Sequence, residues 1–248
     1  MKIGILGSGH IGKTLAVKLA EAGHEVKVAN SRGPHTIDAA VLSTGARAVT
    51  KEQAVTDVEV LILSIPFAGI PDLAPLLANL PAETVVIDTS NYIPARDDRI
   101  EAIENGKTDS VWVTEQLGRP IAKAWNSIYS VTLAEMGKPA GHTERIAVPI
   151  AADRERDRDV TMELVEDTGF DAYDAGSIPE SWRQQPGSPA YCTEVTLAEL
   201  PKALASADLA RSRRRVELAS EVYSERFEPG HNPGRDFIVQ LSRLLNAP

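Results

Sequence analysis

The sequence predicts a doubly wound α/β fold, a mostly parallel sheet with helices on both faces, followed by a small C-terminal helical segment. Three observations predict it. Short aliphatic runs at residues 3–6, 26–28, 60–64 and 84–88 alternate with stretches of helical periodicity, the pattern of parallel strands joined by crossover helices. The first run leads directly into Gly7, Ser8, Gly9, His10, Ile11 and Gly12, a complete G-x-G-x-x-G. The composition, 43% apolar but only 5% aromatic over 248 residues, supplies a full core of layered aliphatic packing.

Taken in order, residues 3–6 form the first strand and the glycine turn ends it. In such a turn the first glycine permits the sharp bend, the second lets the backbone approach a pyrophosphate, and the third allows the helix to pack closely on the strand. The following helix then faces the phosphates with unpaired N–H groups and a partial positive charge. Ile11, Leu15, Leu19 and Ala22 recur at helical spacing, and Gly23 stands where a left-handed C-cap is expected. Val26 and Val28 begin the second strand and complete a β-α-β unit, the Rossmann dinucleotide-binding arrangement. An NAD-selective site places Asp or Glu at the end of that strand. This chain has Asn30, Ser31 and Arg32 instead, and a guanidinium there favours the 2′-phosphate of NADP(H).

After Arg32, Pro34 opens a short helix expected to end near Gly45, and residues 47–49 form a brief third strand. Thr50 and Gln53 make a capping box for the next helical turn. Residues 60–64 read as a strand covered on both faces, stopped by Ile65, Pro66 and Phe67. A helix over residues 70–80 leads to a fifth strand at 84–88. Ligands of such sheets sit beyond the carboxyl ends of the strands, so residues 7–12, Ser64 to Phe67, and Asp88 with Thr89, Ser90, Asn91 and Tyr92 should line one cleft. Residues 121–125 and 145–151 extend the sheet, and a helix over 153–168 with a strand at 170–173 completes the domain, residues 1–176. The remainder, 177–248, reads as a loop and two helices. Residues 178–195 contain Trp182, Arg183, Gln184, Gln185 and Tyr191 and predict an ordered loop over the cleft, acting as a lid, a structural strap or a subunit contact. Val216, Ala219, Val222 and Tyr223 form one apolar stripe; Phe237, Ile238, Leu241, Leu244 and Leu245 form another, compatible with a homodimer.

The net charge of −9 argues against a nucleic-acid partner. Arg211, Arg213, Arg214 and Arg215 favour a solvated helix face, with an anion-binding edge as the alternative. Cys192 is alone, which excludes an intrachain disulfide and a cysteine-based metal site and fits a reducing compartment. No run is long enough for a membrane span, so a cytoplasmic location without membrane partner is expected.

The glycine turn, the segment from Asn30 to Pro34, Ile65 with Pro66, Asp88 with Thr89, Ser90 and Asn91, the block Lys123, Ala124, Trp125, Asn126, and Asp174 with Ala175 and Gly176 together resemble the NADPH-dependent coenzyme F420 reductase family. They are also similar to the nucleotide-binding domain of the STEAP metalloreductases. The resemblance implies hydride transfer between NADPH and a deazaflavin or flavin, a small-molecule redox acceptor. Carried over by position, it implies that Ser31 and Arg32 bind the 2′-phosphate, that Pro66 and Phe67 flank the nicotinamide, and that Asn126 lies near the acceptor ring, where those deazaflavin enzymes tend to carry His. Residues 177–248 then become an acceptor-side cap or dimer contact. Transfer between two stacked rings needs orientation and no obligatory side-chain acid. Reduction of a carbonyl or imine does need a proton donor, for which Lys123, His142, Tyr129 and His10 are the candidates. A non-catalytic NADP(H)-binding sensor module is the third reading.

Overall fold

The computed structural model describes residues 1–228, 231 and 233–246. Eight strands form one sheet in the order β3-β2-β1-β4-β5-β6-β7-β8. They are β1 (Lys2–Leu6), β2 (Glu25–Ala29), β3 (Arg47–Ala48), β4 (Val60–Leu63), β5 (Val85–Asp88), β6 (Ala122–Lys123), β7 (Ala147–Ala152) and β8 (Asp171–Asp174). Every neighbouring pair is parallel except β6 with β7. The order reverses between β1 and β4, which is where a doubly wound sheet opens its ligand crevice.

Side chains alternate across the strands, so both layers of the core draw on the same runs. Ile3, Ile5, Val60 and Ile62 face the layer that contains Leu15 and Leu19 of the helix α1 (His10–Glu21), while Leu61 and Leu63 face Phe67, Trp112 and Val113. Burial on both sides is why these strands are continuously aliphatic.

Several expected elements differ. Residues 34–45 hold two separate 3-10 turns, Pro34–Thr36 and Ala39–Leu42, because Ile37 is extended and Asp38 caps Ala40 from outside. The Thr50–Gln53 capping box does form, on the single turn Lys51–Ala54. Over residues 70–80 the chain makes a 3-10 turn, Pro71–Leu73, and one α turn, Ala74–Leu77; Pro71 and Pro75 remove the N–H groups that a longer helix needs. The structure adds a helix absent from the sequence expectation, Asp109–Leu117, ended by the left-handed Gly118, and its Trp112 and Val113 complete the second layer.

The expected domain boundary after Gly176 is crossed by the core. The 3-10 segment Ile178–Gln184 packs on Asp109–Leu117, β6 and β7, and Ser181 Oγ meets Ser110 Oγ at 2.8 Å. Leu200, Ala203 and Leu204 of the helix Leu200–Ala205 pack against Ala147 and Ala190. Only the helices Leu209–Arg226 and Arg235–Asn246 stand apart as a pair, and they too are pinned. Arg235 pairs with Glu194 at 2.5 Å, Arg243 Nε donates to Thr193 O at 2.8 Å, and Arg213 donates to Ile103 O and Glu104 O. Gly187 has φ +81°, and a Cβ there would stand 2.1 Å from Ser212 O, so the strap and the helix meet backbone to backbone. Among the described residues no helix is long and apolar enough to cross a membrane.

Candidate cofactor and acceptor site

The cradle begins where β1 turns into α1. Gly7 has φ +108°, and a Cβ there would lie 2.0 Å from Ser64 O; one on Gly12 would lie 2.0 Å from Gly7 O. Both positions therefore require glycine for the approach of α1 to β1 and β4. At Gly9, by contrast, an added Cβ meets nothing within 4 Å. The second glycine faces open space in front of a helix with no side-chain cap and no acid in its first turn, which suits a pyrophosphate.

At the end of β2, Asn30 shapes the adjoining loop. Its Nδ2 donates to Ser8 Oγ at 3.2 Å and to Thr36 Oγ1 at 2.9 Å, and its Oδ1 accepts from the Arg32 N–H at 3.0 Å. Asn30 thus ties the loop after β2 to the glycine turn. Ser31 and Arg32 are exposed, and the Arg32 guanidinium makes no hydrogen bond or ion pair among the described residues.

The remaining wall comes from the ends of β4, β5 and β6. Gly9, His10, Ile11, Ser64, Ile65, Thr89, Asn91 and Asn126 border one cleft, joined by Tyr129 and Tyr191. Pro66, next along the chain from Ile65, is exposed. Phe67 does not face it: the ring is fully buried and stacks on Trp112 at 5.0 Å, so its expected place beside the nicotinamide is corrected to a packing role.

Asn126 is held in place. It is 3% exposed, its Nδ2 donates to Asn91 Oδ1 and Gln184 O, and its Oδ1 accepts from Gln184 Nε2 at 2.9 Å. These bonds fix the orientation of Asn126, which borders the cleft. Trp125, fully buried, holds φ +55°, a strained conformation for an aromatic residue that turns the chain from β6 toward Asn91.

Lys123, one of the candidate proton donors, is interior and fully buried. Its Nζ lies 2.6 Å from Asp88 Oδ2 and 2.5 Å from Ser90 O, while Asp88 Oδ1 accepts from Ser90 N and Oγ. The pair fixes the turn that presents Thr89 and Asn91. His142 lies on an exposed loop away from the cleft. Of the four candidate proton donors, Tyr129 and His10 alone border it; burial raises the Tyr129 hydroxyl, which keeps it protonated.

The segment carrying Trp182, Gln184 and Tyr191 is a strap. Gln184 is fully buried on Asn126 and Pro149 O, and Cys192 N donates to Ser127 O, so deletion of residues 181–191 would remove core contacts along with any cover. The Cys192 thiol, pushed up to about 12 by burial, is no nucleophile. The arginine cluster divides between docking and surface roles: Arg213 and Arg215 cap carbonyls of Ile103, Glu104 and Gly187, while Arg214 pairs with Glu217. Arg96, which donates to Asn91 O at 2.7 Å and lines the cleft, escaped the sequence reading; its place one turn after Asn91 was the available signal.

Residues 2–92 match the model of the family described as NADP oxidoreductase, coenzyme F420-dependent. An Escherichia coli K12 protein, YjhV, is 38% identical over 110 residues, 44% of this chain and 78% of that protein. The chain belongs to this family. The matched residues of the NADP oxidoreductase family hold β1 to β5, the glycine cradle and the Asn30–Arg32 loop, and stop before Lys123, Asn126 and the strap. A hypothetical protein from Sinorhizobium meliloti superposes with a TM-score of 0.68 at 26% identity, covering 79% of this chain and 95% of its own. A structure described provisionally as an F420-dependent NADP reductase from Arthrobacter gives 0.56 at 19% identity, with coverages of 72% and 86%, a likeness of fold.

Behind the Thr89–Asn91 turn, Asp109 is 5% exposed and accepts from Tyr92 N at 3.1 Å. Burial raises its carboxyl to about 6, opposed by the Lys123 charge. The folded state therefore holds a proton that the unfolded chain has released between about pH 4 and 6, and stability falls as pH rises through that window. Asp109→Asn is expected to abolish this slope and gain about 3 kcal/mol over wild type at pH 7, with no gain at pH 4, in urea titrations at the two pH values.

Proposed function

We propose that the protein transfers a hydride between NADPH and a ring acceptor of the deazaflavin (coenzyme F420) or flavin class. One observation carries the reading. The polar groups in the cleft wall are committed to one another, Asn91 with Asn126 and Gln184, and Asp88 with Lys123 and Ser90, which makes a rigid wall suited to positioning. Two rings held face to face need such positioning above all.

The cradle fits the cofactor. The open side of Gly9 and the N-terminus of α1 would take the pyrophosphate, Ser31 and Arg32 the 2′-phosphate, and Ile65, Pro66, Thr89 and Asn91 the nicotinamide end. Bound NADPH supplies the hydride. The protein excludes water with Ile11, Ile65 and Ile128 and orients the rings through the fixed turn at Thr89–Asn91.

A second reading, reduction of a small carbonyl or imine, is favoured by Tyr129, whose protonated hydroxyl would supply the acid. Loss of NADPH absorbance, followed in parallel with coenzyme F420, FMN, FAD and a panel of carbonyls and imines, separates the readings. Fast oxidation with one ring, changed less than about threefold by Tyr129→Phe, is the expected result. Turnover confined to a carbonyl or imine and lost in Tyr129→Phe transfers the assignment, and tight NADPH binding with no turnover by any acceptor favours the sensor module.

A further inference from the structure

Among the described residues that border the cleft, Arg96 alone carries a fixed charge, and none is acidic. Its guanidinium is held in one orientation. Nε donates to Asp97 Oδ1 at 2.9 Å, and Nη2 donates to Asp97 Oδ2 at 2.6 Å and to Asn91 O at 2.7 Å. Asp97 is itself anchored, being 4% exposed and accepting from the Ile93 N–H at 3.0 Å. One edge of the planar fork is therefore consumed. The other is open: Nη1 makes no hydrogen bond among the described residues, and the side chain is half exposed to solvent. The Arg96 charge also acts on the Tyr191 hydroxyl, opposing the rise that burial gives it, which places the charge near a second residue of the cleft wall. Arg32 follows β2 and Asn91 follows β5, three strands away in the sheet order and about 14 Å at the usual strand spacing. Arg96, bonded to Asn91, thus lies toward the opposite end of the crevice from the 2′-phosphate loop.

We propose that Arg96 is a specificity-determining residue for the hydride acceptor: its open Nη1 edge grips an oxyanion, phosphate or carboxylate, carried on the acceptor's side chain. The inference rests on the reading above that NADPH reduces a flavin- or deazaflavin-type ring. A coenzyme laid from Arg32 across the glycine turn to Thr89 leaves the Arg96 end of the cleft to that ring. No carboxylate borders the cleft to repel an anion there, and the pairing with Asp97 fixes the guanidinium before the acceptor arrives. Asp97 offsets the charge at a distance, so the discrimination comes from direct N–H···O bonds at short range. A charged hydrogen bond at a half-exposed site is worth about tenfold in affinity.

The test compares two matched pairs on the full chain. FMN and riboflavin share a ring and differ by one phosphate; coenzyme F420 and the deazaflavin ribityl alcohol without its phosphate-linked tail form the second pair. Binding is read by quenching of ring fluorescence with NADP+ bound, and turnover by loss of NADPH absorbance. In at least one pair the anionic member should bind about tenfold tighter, and rising ionic strength should narrow that preference in the wild type. The double variant Arg96→Met/Asp97→Asn removes the guanidinium without stranding a buried carboxylate. It should bring the two members within about twofold of each other while NADPH affinity, read by its own fluorescence, stays within about twofold of wild type. Equal binding within both pairs, no binding of any ring, a preference that salt leaves flat, or one that survives in the double variant overturns the proposal. Tenfold weaker NADPH binding in the double variant gives the guanidinium to the coenzyme's own phosphates and also overturns it. A ring reduced equally well with and without its anionic group leaves the proposed function standing and rejects the role of Arg96. The converse, an Arg96-dependent preference in binding while no ring oxidises NADPH, rejects the function and keeps the anion site.

Discussion

Replacing Lys123 with methionine is expected to destabilise the protein by about 3–5 kcal/mol, roughly a 10 °C drop in melting temperature for a chain of this length. Lys123 and Asp88 are both fully buried, 2.6 Å apart, and Lys123 Nζ also satisfies Ser90 O. Methionine matches the length of the stem and removes the charge, leaving the Asp88 carboxylate in the interior with only the Ser90 N–H and hydroxyl for compensation. An unpaired buried charge costs far more than the intact pair contributes. The effect spreads to Asp109, whose carboxyl the Lys123 charge holds down; without that charge it rises further above about 6. The double variant Asp88→Asn/Lys123→Met removes both charges and keeps an amide oxygen for Ser90, so it should recover more than half of the loss. Urea denaturation of the three proteins measures this. A single-variant loss below about 1 kcal/mol would mean that the pair does not organise the turn at Thr89–Asn91.

Legibility in the sequence followed the range of the interaction. The glycine turn was readable because backbone clashes at Gly7 and Gly12 restrict those positions to one residue type at fixed spacing. β1, β4 and β5 were readable because burial on both faces demands consecutive aliphatic residues. The burial of Lys123 was not legible because the partner that neutralises it, Asp88, lies 35 positions earlier. The bonds that orient Asn126 were not legible for the same reason: Gln184, which reaches its amide, is 58 positions away and meets it only through the strap. Phe67 followed from a missed element, since the ring that covers it, Trp112, sits on a helix whose apolar residues show weak periodicity. The cofactor half is written in local pattern, whereas the acceptor half is assembled by contacts between distant segments.

Arg32→Ala should weaken NADPH binding by about ten- to hundredfold, the worth of one charged hydrogen-bonding group at roughly 1.5–3 kcal/mol, and leave NADH binding within about twofold. The substitution isolates the guanidinium because the loop does not depend on it. Asn30 Oδ1 holds the Arg32 N–H at 3.0 Å, Asn30 Nδ2 reaches Ser8 and Thr36, and Gly33 supplies the φ of +96° that the turn requires. Alanine keeps every one of those backbone contacts. Arg32→Lys should fall between the two, since an ammonium retains the charge but loses the planar fork that grips two phosphate oxygens. The side chain is exposed, so the interaction is screened: raising ionic strength should narrow the NADPH-to-NADH ratio in wild type and leave it flat in Arg32→Ala. Calorimetric titration with both coenzymes at low and high salt measures all four quantities. Equal losses for NADPH and NADH in Arg32→Ala would assign the 2′-phosphate to another group and leave the end of β2 without a role in choosing the coenzyme.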